Sequence, residues 1–412
     1  MRVLIDYRPA LRARSGVGEY THELARALLA EFPQDHPRRA LDLTLFSSSW
    51  KDRFAESSDL AGAARIDRRV PVSVLNLAWH RLEWPTIEAL SGASFDVAHS
   101  SHPLMMPARA AAQVITIHDL DFLAHPERTA AEIHRDYPAL VGDHARRADA
   151  VIVSSAFAAG EVAQRLGVGR ERIAICPPGA PAWQPRAAAP ANGYLLFLGT
   201  LEPRKNVGGL LDAYERMIHD PYHGPADAGR HEEDGPAKAG QNGDRGPTGS
   251  GGGARKVPEL VLAGRATDAA RPWLERIARP PLAGRVRHIG YVDPAKRREL
   301  YVGARLLVQP SFEEGFGLTV LEAMSLAVPV VAARRGSLPE VGGDAVVLVD
   351  PESPEDLARG MERVSRDGEF AAECAARGLA RARTFQWSAT ARLVLSTYEQ
   401  AIVRRAQRAG AA

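Results

Sequence analysis

The sequence predicts an α/β protein made of two successive Rossmann-like halves. Short β-rich runs alternate with helix-patterned stretches, the pattern of parallel sheets joined by crossover helices. The alternation occurs twice, on either side of a Pro- and Ala-rich stretch from Pro177 to Gly193. The length of 412 residues suits two domains of ordinary size.

In the first half, Val3–Asp6 reads as a strand, followed by a turn and a helix from about Glu19 to Glu31. Leu41–Phe46, Val97–His99, Val114–Ile117, Ala150–Val153 and Ile173–Cys176 read as further strands. Residues 1–180 are the first domain and 181–193 a linker. The second domain, 194–386, opens with the strand Tyr194–Leu198. It continues through Leu260–Ala263, Val286–Ile289, Leu306–Val308, Val328–Ala332 and Val346–Val349. Residues 219–256 interrupt it. They are rich in Gly, Pro, Asp and His, end in Gly249-Ser250-Gly251-Gly252-Gly253, and lack core-forming residues, so the expectation is a disordered insertion. His219, His223 and His231 show no tight ligand spacing, and no metal is expected there. Residues 387–412 carry the last helical pattern, with Ala391, Leu393, Val394, Leu395, Tyr398 and Ile402 apolar. Two such halves imply a cleft, and ligands in such sheets bind at the carboxyl ends of strands.

Composition excludes several classes. A net charge of +2 and no domain-long basic stripe argue against nucleic acid as a partner. The amino terminus enters a strand at once and lacks the apolar length of a signal peptide, and no run approaches a membrane span. The expected location is therefore cytoplasmic. Cys176 and Cys374 lie far apart and read as two reduced thiols.

The chemistry concentrates at Pro310-Ser311-Phe312-Glu313-Glu314-Gly315-Phe316-Gly317-Leu318-Thr319-Val320-Leu321-Glu322-Ala323-Met324. A buried strand gives way to a helix at a Gly-Phe-Gly turn. Glu314 stands on the turn and Glu322 inside the helix, about 12 Å apart if helical throughout. Between them a helix N-terminus offers N–H groups and a positive dipole end, with Gly317 and Leu318 nearest a phosphate. Two carboxylates for hydroxyls around an anion site suit a nucleotide sugar. An isolated Glu-x7-Glu spacing would read as two solvated residues on an amphipathic helix; the strand, the turn and the Pro329-Val330-Val331-Ala332 strand beyond it decide otherwise.

Gly199-Thr200-Leu201-Glu202-Pro203-Arg204-Lys205-Asn206 places two adjacent cations between a strand and a helix, a phosphate clamp of one fork and one point charge. Ser15-Gly16-Val17-Gly18-Glu19-Tyr20 is a glycine turn before a helix, without the third glycine of a dinucleotide fingerprint. His118 ends a strand, where a structural role is the commoner one. Asp119-Leu120-Asp121, which follows it, also spells a metal-binding Asp-x-Asp. Ser337-Leu338-Pro339-Glu340 has the spacing of a helix capping box with Pro in the first turn.

Together these segments resemble the family 4 retaining glycosyltransferases, over almost the whole chain except the insertion. The resemblance implies the GT-B fold, two Rossmann-like domains facing across a cleft, with the last helix crossing back to the N-terminal domain. It implies donor binding in the C-terminal domain and acceptor binding in the N-terminal one. Glu314 and His118 would then be catalytic: Glu314 orients the sugar and stabilises its developing positive charge, and His118 lies against the sugar. Arg204, Lys205, Gly16, Gly18, Gly317 and Leu318 would bind the donor phosphates, and Glu322 the ribose. Many members carry Arg directly after the glycine where this chain has Thr200, which leaves open whether Arg204 or Lys205 takes the larger share. Cations and a helix end in place of a metal imply no metal and no cofactor; the Asp-x-Asp belongs to the other glycosyltransferase fold, GT-A. The leaving phosphate is the family's proposed base.

The motif set is most similar to the mannosyltransferase branch of bacterial surface polysaccharide synthesis, which implies GDP-mannose as donor. The acceptor would be a glycan or a polyprenyl-diphosphate-linked one, compatible with peripheral contact at the inner face of the cytoplasmic membrane. A GT-B sugar-nucleotide epimerase and a non-catalytic nucleotide-sugar-binding regulator are the alternatives.

Overall fold

The computed structural model describes residues 1–11, 14, 16–33, 40–54, 58–124, 131–219 and 257–411, with backbone alone at 58, 124, 131–136 and 411. The expected insertion, from residue 220 on, lies outside the described residues, as does Ser15.

The first half holds strands β1 (Arg2–Asp6), β2 (Asp42–Ser48), β3 (Ala64–Arg68), β4 (Val97–Ser100), β5 (Ala112–Ile117), β6 (Ala150–Val153) and β7 (Ile173–Ile175). Its helices are α1 (Val17–Glu31), α2 (Val72–Leu82), α3 (Ile87–Ser91), α4 (Asp121–Ala124), α5 (Ala131–Arg147) and α6 (Ala156–Leu166). The strands pair in parallel in the order β3-β2-β1-β4-β5-β6-β7. The second half holds β8 (Tyr194–Leu198), β9 (Leu260–Ala263), β10 (Val286–His288), β11 (Ala304–Gln309), β12 (Val330–Ala333) and β13 (Val347–Val349). Its helices are α7 (Val207–His219), α8 (Arg271–Ile277), α9 (Pro294–Gly303), α10 (Leu318–Ser325), α11 (Leu338–Gly342), α12 (Pro354–Arg366) and α13 (Gly368–Ala382). Its sheet is parallel too, in the order β10-β9-β8-β11-β12-β13.

Both orders reverse direction beside the first strand of the sheet, between β1 and β4 and between β8 and β11. The crevice at such a reversal is where doubly wound sheets bind ligands. Central strands are buried on both faces and read as continuous apolar runs, as Leu195–Leu198 and Ala150–Val153 do. The edge strand β3 was not anticipated: its sequence, Ala64-Arg65-Ile66-Asp67-Arg68, is polar and largely exposed.

The last helix, α14 (Trp387–Ala411), returns to the N-terminal domain and packs on α1, β5, β6 and β7. Ala391, Val394, Leu395, Tyr398 and Ala401 join the same core as Val3, Ile5 and Leu24. Val394 and Leu395 are buried, worth about 1.5–3 kcal/mol each on the usual area scale. Tyr398 shares a 2.7 Å hydrogen bond with His99 Nδ1 at the end of β4, and Arg408 pairs with Asp149 at 3.1 Å. This is the crossing-back helix that the GT-B resemblance implies. Among the described residues no helix is long and apolar enough to cross a membrane.

Candidate active site

A cavity of about 320 Å³ opens between the two sheets. Gly16, His118, Arg204, Lys205, Glu314, Gly317, Leu318 and Glu322 all line it, although they come from distant segments. Gly18 does not: it sits buried in the first turn of α1, where a Cβ would come 2.5 Å from the Pro9 carbonyl oxygen. Its glycine is required by packing, while Gly16 (φ +53) has open space around it.

The Glu314 turn is built by its neighbours. Gly317 caps α10 at φ +96, a conformation that only glycine adopts readily, and no side chain caps this helix end. Glu314 Oε1 accepts from Lys205 Nζ at 2.5 Å, Gln309 Nε2 at 2.7 Å and Ser311 Oγ at 2.9 Å. Burial works to raise the Glu314 pKa, but Lys205, Arg204 and Ser311 outweigh it and hold the carboxyl below its ordinary value. Ser337 Oγ donates to the Glu314 carbonyl at 2.9 Å. Gln309 also accepts from Thr319 Oγ1 at 3.1 Å, which ties the turn to the first residues of α10.

Glu322 lies in the second turn of α10, and is also buried. Tyr301 donates its hydroxyl to Oε2 at 2.7 Å, and Arg297 Nη1 faces Oε1 at 3.3 Å. Here burial dominates: it raises the pKa above the ordinary carboxylate value despite Arg297 and Tyr301.

Arg204 projects from the turn after β8. Its Nε donates to Glu202 at 2.7 Å, and the guanidinium lies 3.7 Å from Asp119 and 3.8 Å from Asp121. The Asp-x-Asp thus pairs with an arginine across the cleft. Burial alone would lower the Arg204 pKa; the surrounding carboxylates raise it. Among the described residues no group of three or more His, Cys, Asp or Glu side chains is placed to hold a metal ion. His118 donates Nε2–H to the Ser101 carbonyl at 3.2 Å, leaving Nδ1 as an acceptor, and meets Tyr20 edge-on at 4.9 Å. Burial lowers its pKa, so it is neutral at pH 7.

The domains meet directly at this turn. A Cβ on Gly315 would lie 1.7 Å from the His118 carbonyl oxygen, so only glycine permits the approach. The Gly315 carbonyl accepts from Ser154 at 3.2 Å and Ser155 at 2.7 Å. The Ser337–Glu340 segment corrects the capping-box expectation. Ser337 makes no side-chain cap bond to α11, since its hydroxyl is spent on Glu314. Glu340 instead accepts from the Ala156 backbone N–H at 2.9 Å, at the positive end of α6 in the other domain.

Sequence reasoning missed Arg297, Tyr301, Gln309 and Ser311. The only signal for the first two was their i, i+4 spacing on one helix face; within Lys296-Arg297-Arg298 nothing marks which cation turns inward.

Residues 14–182 match the family described as Glycosyltransferase Family 4, and residues 254–367 match Glycosyl transferases group 1. The chain belongs to the family 4 glycosyltransferases. Over its length this glycosyltransferase is 26% identical to the O-antigen chain mannosyltransferase B of Escherichia coli, covering 97% of this chain and 100% of that one. Sucrose-phosphate synthase from Thermosynechococcus elongatus superposes with a TM-score of 0.70 at 19% identity, over 97% of this chain and 98% of that one. Anabaena HepE, solved in complex with UDP and glucose, superposes with a TM-score of 0.62 at 17% identity, over 96% and 99%. These likenesses show the GT-B fold.

Proposed function

We propose that this glycosyltransferase moves mannose from GDP-mannose to a hydroxyl of a glycan or polyprenyl-diphosphate-linked acceptor, with retention at the anomeric carbon and without a metal. One observation carries the reading: Glu314, Lys205, Arg204, the uncapped end of α10 and Glu322 line one cavity at the strand-order reversal of the C-terminal sheet. The full-length likeness to an O-antigen chain mannosyltransferase supports the donor and the polysaccharide context.

In this reading Glu322 accepts from the ribose hydroxyls, and the α10 N-terminus receives the diphosphate. Lys205 takes the larger share of the leaving charge, because Arg204 is already surrounded by Glu202, Asp119 and Asp121. Lys205 also touches Glu314, so one cation links the carboxylate beside the sugar to the phosphate beyond it. As the C–O bond to phosphate breaks, positive charge grows on the sugar ring and negative charge on the diphosphate. Glu314 stabilises the first and Lys205 with the helix end the second. The acceptor hydroxyl attacks from the face the diphosphate leaves, and its proton passes to the leaving phosphate oxygen. His118 Nδ1 accepts from a hydroxyl of the donor sugar.

The test is transfer from GDP-mannose to mannosylated oligosaccharide and polyprenyl-diphosphate acceptors in excess EDTA, with the new linkage read by NMR. An α-mannoside formed without added metal is expected. Loss of transfer in EDTA with rescue by manganese would overturn metal independence and return Asp119 and Asp121 to metal chemistry. A β-linkage would overturn retention, and transfer only from another nucleotide sugar would overturn the donor.

A further inference from the structure

We propose that Arg297 is a positioning residue for Glu322, a single side chain that spans the cleft from Glu19 to Glu322 and so couples the aim of the ribose carboxylate to domain closure. The proposal rests on Glu322 holding the donor ribose.

Arg297 Nη2 lies 3.3 Å from Glu19 Oε1, and Nη1 lies 3.3 Å from Glu322 Oε1. Glu19 stands in the first turn of α1 in the N-terminal domain, three residues after Gly16 at the helix cap. Tyr301, one turn along α9, fixes the other oxygen, Oε2. A carboxylate offers about four lone-pair sites, so these two contacts hold the rotamer and leave room for two hydroxyls. Arg297 is 8% exposed, lies over the Trp183 ring at 6.0 Å, and lines the cavity. Its buried Nε has no hydrogen-bond partner among the described residues. An arginine this enclosed is not a solvated surface cation: burying it is offset only by the carboxylates it meets.

The electrostatics agree with the geometry. Burial opposes the charge on Arg297, but Glu322, Tyr301 and Glu19 more than compensate and its pKa rises. Burial also opposes the charge on Glu322, and here Arg297 and Tyr301 only partly compensate, while Glu19 adds to the rise. Glu322 is therefore the weak member of the set. Without Arg297 it would lose its only cationic neighbour among these groups and take up a proton nearer to neutral pH. A protonated carboxyl accepts fewer hydrogen bonds, so the ribose grip would fail.

The test is calorimetric binding at pH 8 and pH 6, using whichever of GDP, UDP and ADP the wild-type protein binds most tightly. R297M, which keeps the stem packed, should raise Kd by about tenfold or more at pH 8. Its loss should be larger at pH 6, by more than any change in the wild type. R297K should recover most of the affinity and the wild-type pH dependence, which a merely space-filling role would not. In the E322Q background, adding R297M should change Kd by less than about twofold, because the carboxylate it serves is gone. This double variant buries neither charge, so it remains informative if R297M alone fails to fold. R297M binding within about twofold of wild type at both pH values would overturn the proposal. So would an undiminished R297M loss in the E322Q background, which would mean that the arginine touches the nucleotide itself. If the wild type binds none of the three, or E322Q binds as wild type does, the ribose assignment falls and this proposal with it.

Discussion

Glu314 and Glu322 belong to one segment and line one cavity, yet their surroundings are opposite. Glu314 sits on the turn, where a lysine, a carboxamide and a hydroxyl converge on a single oxygen and hold the carboxyl ionised. Glu322 sits inside the helix, where burial outweighs one arginine and one tyrosine and pushes the carboxyl towards neutrality. The spacing of the two glutamates is a property of the sequence. The difference between them is a property of what other strands and helices bring alongside. An ionised carboxylate suits both tasks, stabilising the charge that develops in the reaction and holding hydroxyls; at Glu314 the partners secure that charge, and at Glu322 burial works against it.

The largest effect expected from breaking this contrast is at Glu314. Glu314→Gln keeps an oxygen for Gln309 and Ser311 but removes the charge that Lys205 meets. It should lower kcat by roughly 10²–10³-fold, about 2.7–4 kcal/mol, with a smaller change in donor KM. Steady-state kinetics with circular dichroism as a folding control decides it. Normal turnover at saturating donor would strip Glu314 of its part in the chemistry.

Glu322→Ala comes next. It removes a grip that is alike in ground and transition states, so it should raise the donor KM and leave kcat near wild type. Hydrogen bonds to a charged group contribute about 1.5–3 kcal/mol, so roughly ten- to a hundredfold in KM is expected. Arg297 keeps Glu19 as a partner in this variant, so the protein should fold. A fall in kcat with unchanged KM would exchange the roles of the two glutamates.

The contrast also marks what was legible in the sequence. The Glu314–Glu322 segment, the Arg204-Lys205 turn and the central strands were readable because each is local: apolar runs of strand length, glycines at turns, charges at strand ends. The edge strand β3 was not, because an exposed edge needs no apolar run and Ala64–Arg68 has none. Ser337 and Glu340 were misread because a capping box and a pair of long-range donors and acceptors look the same in one dimension. Only the folded chain shows Ser337 holding the Glu314 carbonyl within its own domain and Glu340 capping α6 of the other. Arg297 hid in a run of cations for the same reason: its partners lie 278 and 25 positions away, on α1 and α10.

The smallest and most discriminating effect is in the pH dependence of the unmutated enzyme. Glu322 has its pKa raised above 4.5, so its ionised form is lost first as pH falls from 7. Glu314 has its pKa lowered below 4.5 and stays ionised across the same window. His118, lowered by burial, stays neutral at its upper end. Donor KM should therefore rise as pH is lowered, by at most about tenfold per unit because one proton is involved, while kcat stays level. Folding sets the lower limit of the experiment. Burial lowers the pKa of His99 from 6.5 to about 3, so the unfolded chain takes up that proton first as pH falls. The stability due to this histidine is complete above pH 6.5, is down by about 2 kcal/mol at pH 5, and continues to fall towards about pH 3. Thermal melts at each pH separate that loss from the titration of the site. A kcat that fell in step with the rise in KM, in protein still folded by this measure, would show that both glutamates titrate together and that their environments are not the two distinct ones described.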